Sequence, residues 1–227
     1  MGGVATAVIV AAGRFSRMEG INKQTAVIDD CPVLARTVLA FQQAESICDI
    51  IVVTRECDRD DVELMIRTLG MDKVTVVVKG GETRQQSVKN GVTAAVCELV
   101  AVHDGARPLV RPSVIDGTVS AAVQYGAAAA AVPVKDTVKV ADDNGFVRET
   151  PDRSRLWLVQ TPQVCGRAAW LEAAADAEQR GLDFTDDCQL MEMSGQAVYL
   201  YHSDYENIKI TTPEDLVVAE AFLRAAK

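Results

Sequence analysis

The chain is poor in the residues from which many sites are built. Aromatic residues make up 5% of it, and it has two histidines, His103 and His202, in 227 residues. A histidine-built metal centre therefore has little to draw on. Its six cysteines (Cys31, Cys48, Cys57, Cys97, Cys165 and Cys188) form no CxxC pair, which argues against a zinc site. Residues 1–4 carry neither the charged start nor the apolar stretch of an export signal. The cysteines are therefore expected to be reduced thiols of a cytoplasmic protein. No stretch approaches the ~18 consecutive apolar residues of a membrane span, so no membrane partner is expected. Basic charge is also short. Lys and Arg number 23 against 32 Asp and Glu, a net charge of −9, so a nucleic-acid-binding face is not expected. Finally, neither GxxxxGK[ST] nor GxGxxG occurs, and the acidic residue that would hold a ribose about 20 positions later is missing too. A Walker P-loop and a nicotinamide-dependent oxidoreductase both lose their fingerprints.

What remains is an ordinary globular composition, 48% hydrophobic and 24% charged. The length suits one domain spanning residues 1–227, with an excursion. The first half alternates short β-branched runs with helical spacing. Strands are expected at residues 6–10, 50–54, 74–78 and 99–103, and helices at 33–44, 58–69, 83–97 and 112–125. This rhythm predicts an α/β, Rossmann-like fold: a mostly parallel twisted sheet with helices on both faces. Loops after the strands then share one edge, where such folds bind ligands. The alanine run at 127–131 is read as a strand, because Gly126 ends the preceding helix. The rhythm breaks after Pro133. Residues 135–157 are polar and extended, with Asn144-Gly145 as a hairpin signal, and predict a protruding β-arm. Helices at 167–180 and 186–194, a strand at 197–201 and a helix at 213–226 complete the chain.

Four clusters could carry chemistry. Residues 11–18 form a small-residue loop whose N–H groups suit phosphates, with Arg17 and Lys23 as fixed cations; a solvated basic loop reads equally well. Gly80-Gly81-Glu82-Thr83-Arg84 with Ser87 suits backbone recognition of a base or ribose, or is a plain βα turn. Asp104, within residues 103–108, lies at the carboxyl end of a strand, where an acid can organise Mg²⁺ on phosphates; it could also be a cap or a partner of Arg107. The fourth cluster is scattered: Thr137, Arg153, Thr161, Thr185 and Lys209 are hydroxyls and cations of the kind a phosphomonoester needs, though Thr185 could simply cap a helix.

Taken in order, the segments AAGRFSRM with KQ, GGETRQQSV, HDGARP, PVKDTVK, LWLVQTPQ, TDD and NIKITTPEDL resemble the cytidylyltransferases of the non-mevalonate isoprenoid pathway, from about Thr6 to about Leu223. The resemblance implies attack of a polyol phosphate, 2-C-methyl-D-erythritol 4-phosphate, on the α-phosphorus of CTP. Arg17, Lys23 and Lys209 match the catalytic cations. Ala11, Ala12, Gly13, Gly81, Glu82, Ser87, Asp104 and Gly105 match the CTP site. Thr137, Arg153, Thr161, Thr185 and Arg107 match the sugar-phosphate side. Asp104 stands beside an expected Mg²⁺ or other divalent cation. The family's arm hooks a partner subunit, which implies a homodimer with shared sites. Phe15 stands where the family has glycine and Asn22 where it has proline, so the loop carrying Arg17 and Lys23 departs from the family pattern. The neighbouring alternative is a ribitol 5-phosphate cytidylyltransferase, and a third reading is a non-catalytic nucleotide-binding relative.

Overall fold

The computed structural model describes residues 3–13 and 26–225. The apolar run near the N-terminus forms β1 (Ala5–Val10). A small hairpin of β2 (Val27–Ile28) and β3 (Cys31–Pro32) leads into α1 (Val33–Gln43). There follow β4 (Ile47–Thr54), α2 (Arg59–Thr68), β5 (Val74–Lys79), α3 (Arg84–Ala94), β6 (Leu99–Asp104) and α4 (Pro112–Tyr125). Apart from the β2–β3 hairpin, which the sequence did not lead us to expect, these match the predicted elements with shifts of a few residues at their ends. Gly126, at φ 90°, stops α4 in a conformation that β-carbon sterics discourage in other residues. The alanine run then pairs as β7 (Ala127–Pro133).

The main sheet has seven strands. β1, β4, β5, β6 and β7 are joined in it by β10 (Trp157–Gly166) and, at one edge, β11 (Tyr199–His202), giving the order β11-β7-β10-β6-β1-β4-β5. The β1–β4, β1–β6, β4–β5 and β7–β11 pairs are parallel, whereas β10 runs antiparallel to both β6 and β7. From β1 the chain moves outward through β4 to β5, then crosses back to β6 on β1's other side. That reversal opens a crevice outside the carboxyl ends of β1 and β6.

Helices cover both faces because the central strands are apolar on both. Ile50 and Val52 of β4 pack in one core with α1 and α4, while Ile51 and Val53 pack in the other with α3, α5 (Arg167–Gln179) and α6 (Asp187–Met193). All four side chains are fully buried, and each such burial contributes roughly 1.5–3 kcal/mol. A smaller core joins Ile28, Val33 and Ile210 to Ala219 of α7 (Pro213–Ala225).

Three further features depart from the sequence expectations. First, β10 was not anticipated as a strand. Gln160, Thr161, Pro162 and Gln163 interrupt its apolar pattern, and its register slips between Val159 and Gln163. A proline at such an irregularity is tolerated where a regular ladder would reject it. Second, the arm is a hairpin, β8 (Val140–Ala141) with β9 (Val147–Glu149), but its turn is longer than the two residues of a tight Asn-Gly turn. Asp142 Oδ1 accepts from the N–H groups of Asn144 and Phe146, and the Asp142 N–H bonds back to Phe146 O. Third, the expectation of six reduced thiols fails at one pair. Cys48 and Cys97 are joined as a disulfide, whereas Cys31, Cys57, Cys165 and Cys188 are free. The two are 49 residues apart in sequence and meet only because β4 and the segment before β6 flank the start of β1.

Candidate active site

A cavity of about 320 Å³ opens at the β1–β6 crevice. Four segments build its walls. The loop after β1 brings Ala11, Ala12 and Gly13; the turn before α3 brings Gly81, Glu82 and Thr83; the end of β6 and the segment before α7 bring Asp104, Ala106, Lys209 and Ile210. The loops are pinned to neighbouring strand ends by backbone bonds: Ala11 N–H to Val53 O, Gly80 N–H to Thr54 O and Gly105 N–H to Val10 O. They also approach closely. A β-carbon on Gly80 would lie 2.2 Å from Ala12 Cβ, so glycine is required there by space. Ser87, in the first turn of α3, accepts from Gly81 N–H at 3.0 Å and donates to Thr83 O at 2.9 Å, fixing the turn.

Asp104 is the electrostatic centre. Lys209 Nζ lies 2.9 Å from one of its oxygens, Arg107 Nε 3.4 Å from the same oxygen, and Arg84 Nε 3.8 Å from the other. Burial pushes this carboxyl up, but Lys209, Arg84 and Arg107 outweigh it and hold it well below the usual carboxylate range. It is therefore ionised at any working pH. Among these cations Lys209 is the accessible one, its side chain 43% exposed against 12% for Arg107 and 25% for Arg84. It is the group best placed to turn to an incoming anion.

Beneath the cavity, polar groups lock the frame. The Asp104 N–H donates to Thr161 Oγ1 at 3.1 Å. Arg107 donates to Asn207 O at 2.7 Å, and Asn207 Nδ2 donates to Gln160 Oε1 and Thr161 O, both at 2.9 Å. This net ties β10, the segment carrying Lys209 and the end of β6 to one another. His103 is fully buried, tilted against Phe41 with ring centroids 4.8 Å apart, and its Nε2 lies 3.4 Å from Arg107 O. Burial pushes its pKa down to about 3. The imidazole is neutral, bonds within the frame and offers no proton acceptor to the cavity; its Nδ1 is buried without a hydrogen-bond partner among the described residues.

Of the residues singled out in the sequence, Ala11, Ala12, Gly13, Gly81, Glu82, Ser87, Asp104 and Lys209 line this one cavity. Gly105, Arg107 and Thr161 lie directly behind it, in contact through the bonds above. Thr137 and Arg153 sit on the arm, away from the cavity; Arg153 Nη1 donates to Lys135 O at 2.8 Å. Thr185 lies before α6 and bonds Gln189, but the cap of that helix is Asp186, which accepts from Gln189 N–H. Arg17 and Lys23 lie outside the described residues.

Sequence reasoning did not assign a role to Arg84 or Asp187. Arg84 lines the cavity and pairs with the buried Asp187 at 2.9 Å, while Asp187 also accepts from the Trp170 indole N–H at 2.9 Å. Burial lowers the pKa of Arg84, but Asp187 and Asp104 outweigh it and raise the value above normal. The sequence did hold one signal. A cation in the first turn of a helix opposes the helix dipole, so Arg84 needs compensation from elsewhere.

Comparison with known proteins gives one consistent picture. The family model described as IspD, 2-C-methyl-D-erythritol 4-phosphate cytidylyltransferase, matches residues 5–225. The chain is 49% identical to the 2-C-methyl-D-erythritol 4-phosphate cytidylyltransferase of Caldanaerobacter subterraneus subsp. tengcongensis, over 96% of this chain and 98% of that one. It is 47% identical to the enzyme of the same name from Desulforamulus reducens, over 96% and 95%. Among solved structures, it is similar to the 4-diphosphocytidyl-2C-methyl-D-erythritol synthase of Anaerococcus prevotii, with a TM-score of 0.87 and 31% identity over 99% of this chain and 100% of that one.

Proposed function

The chain belongs to the 2-C-methyl-D-erythritol 4-phosphate cytidylyltransferase family, and on that premise we propose that the cavity at the β1–β6 crevice is its CTP site. The reaction of the family moves the cytidylyl group of CTP onto 2-C-methyl-D-erythritol 4-phosphate, giving 4-diphosphocytidyl-2-C-methyl-D-erythritol and pyrophosphate, a step of isoprenoid precursor synthesis. The carrying observation is the cluster of Asp104 with Lys209, Arg107 and Arg84 at the point where the strand order reverses.

The chemistry needs alignment and charge neutralisation more than proton transfer. An oxygen of the acceptor phosphate forms a bond to the α-phosphorus while the bond to the β-phosphate oxygen breaks and pyrophosphate leaves. The nucleophile is already an anion, so no general base is required. That agrees with a neutral His103 held inside the frame. Lys209 neutralises charge at the α-phosphate, with Arg17 and Lys23 assigned to the triphosphate by their family positions. Peptide groups of residues 11–13 and 81–82 face the cytidine.

The residues present fit a divalent cation held jointly with the triphosphate. Asp104 is permanently ionised and faces the cavity, and a carboxylate oxygen is a suitable hard ligand. Mg²⁺, when bound, would neutralise charge on the triphosphate. Two negatively charged phosphate substrates suit a cytoplasmic enzyme and leave nucleic acid and membrane without a role.

The arm is read as a dimer clasp of the whole-chain unit. Phe146 is 71% exposed and Val147 59% exposed, more apolar surface than a solvated hairpin tip needs. Thr137 and Arg153 then complete the sugar-phosphate end of the partner's site and Thr185 its near side, while Arg107 and Thr161 support that end from behind Asp104. A pyrophosphate-release assay with CTP and Mg²⁺ tests the reading. Release that requires methylerythritol phosphate supports it; faster release with ribitol 5-phosphate, or none with either, overturns it.

A further inference from the structure

At the opposite edge of the sheet from the cavity, near the starts of β1 and β4, the strand register holds an irregularity. Ala5 pairs with Ile47 and Thr6 with Asp49, so Cys48 is an extra residue on β4. In a regular strand Cys48 and Asp49 would face opposite sides. A bulge re-aims one of them, and Cys48 Sγ comes to lie 3.0 Å from Asp49 Oδ1. Cys97, in the turn between α3 and β6, brings its Sγ to 3.7 Å from the same oxygen. The two sulfurs and the carboxylate offer ligand atoms that all lie within 4.8 Å of one another.

The surroundings are those of a ligand set. Asp49 is 7% exposed, and among the described residues no Lys, Arg or His forms an ion pair with it. A buried carboxylate without a counter-charge is costly. It is oriented by a relay: the Cys97 N–H donates to Thr6 Oγ1 at 3.1 Å, and Thr6 Oγ1 donates to Asp49 Oδ1 at 2.7 Å. Such an outer hydrogen bond is how proteins fix a ligating carboxylate. Cys48 is exposed, which gives a cation entry and leaves room for water as a further ligand.

We propose that Cys48, Asp49 and Cys97, in the dithiol form, bind one thiophilic divalent cation of the zinc and cadmium class. The disulfide seen in the structure is the oxidised form of the same site. A dithiol reductant opens it: the disulfide takes up two electrons and two protons, and the reductant becomes a disulfide. The cation then displaces both thiol protons to form two metal–thiolate bonds, with the Asp49 carboxylate as third ligand. No zinc-like spacing advertises the site in the sequence, because its three ligands come from two segments, β4 and the turn before β6, brought together by the sheet.

The test uses the full-length chain, reduced and freed of reductant under anaerobic conditions, and titrated with Cd²⁺. We expect sulfur-to-metal charge-transfer absorption that saturates at one equivalent, with release of about two protons per cation at neutral pH. The disulfide form should show none. Cys48→Ser and Cys97→Ser should each abolish the absorption, and Asp49→Asn should weaken binding about tenfold or more. The Cys31→Ser/Cys57→Ser double variant should bind as the wild type does. Retention of the full signal in Cys97→Ser or Cys48→Ser overturns the proposal. For variants that fail to fold, alkylation of the wild-type chain decides: Cd²⁺ should slow labelling of Cys48 and Cys97 but not of the exposed Cys57. Equal labelling of Cys48 with and without Cd²⁺ overturns it as well.

Discussion

Acidification from pH 7 to pH 5, with nucleotide absent and a chelator present, should destabilise the fold, and a definite part of that loss belongs to His103. The folded imidazole is fully buried, and its pKa is pushed from the ordinary 6.5 to about 3 by burial. The unfolded chain therefore takes up a proton as pH falls through about 6.5, while the folded chain does not until about 3. Between those values the unfolded state binds more protons, so stability falls with falling pH across that window. At pH 5 the unfolded histidine sits 1.5 units below its pKa, worth about 2 kcal/mol at roughly 1.36 kcal/mol per unit. That figure depends on the unfolded value as long as the folded one lies well below 5. The assay is urea denaturation of wild type and His103→Asn at pH 7, 6 and 5. The substitution carries its own pH-independent packing cost, so the result lies in the slope. The wild type's advantage over the variant should shrink by about 2 kcal/mol between pH 7 and pH 5. A difference that stays constant across the range, or an imidazole NMR signal that titrates near 6.5 in the folded protein, would refute the reasoning.

Three further predictions concern the site. Lys209→Ala should fold normally, because its side chain is 43% exposed, and should lower kcat by about 10²–10³-fold; near-native turnover would remove Lys209 from the mechanism. Arg153→Ala should raise KM for the sugar phosphate and leave CTP affinity unchanged. Mixing it with Lys209→Ala should then restore part of the activity if sites are shared across a dimer, and mixed dimers without any rescue would point to self-contained sites. Gly80→Ala places a β-carbon 2.2 Å from Ala12 Cβ and should cost about 1–3 kcal/mol in urea denaturation while weakening CTP binding. An unchanged midpoint and unchanged affinity would show that the loop after β1 can shift freely.

Much of the candidate site was readable in the sequence because it is built from strand ends. A small-residue loop after β1, a glycine pair after β5 and an acid closing β6 each follow a β-branched run, and parallel strands of one sheet deliver such loops to one edge. What the acid does there was not readable. Asp104 was open as a cap, a partner of Arg107 or an organiser of metal, and the fold makes it the common partner of Lys209, Arg107 and Arg84. Arg84 was visible only as a polar neighbour of the glycine pair. Its weight comes from Asp187, 103 residues later in the chain.

The alternation of apolar runs by itself determined the α/β class, because strands buried on both faces and helices with one buried stripe leave distinct periods in the residues. It also determined which loops share an edge, since right-handed crossovers permit little else. The tertiary structure alone decided the antiparallel insertion of β10, whose polar centre finds its partners in Asn207, the Asp104 N–H, Asp204 O and the N–H groups of Asp187 and Cys188. It alone decided that His103 is neutral, because desolvation by the packed surroundings, not the residue type, sets that pKa. And it alone brought Cys48 and Cys97 to Asp49, through a one-residue slip in register that leaves no mark in composition or spacing.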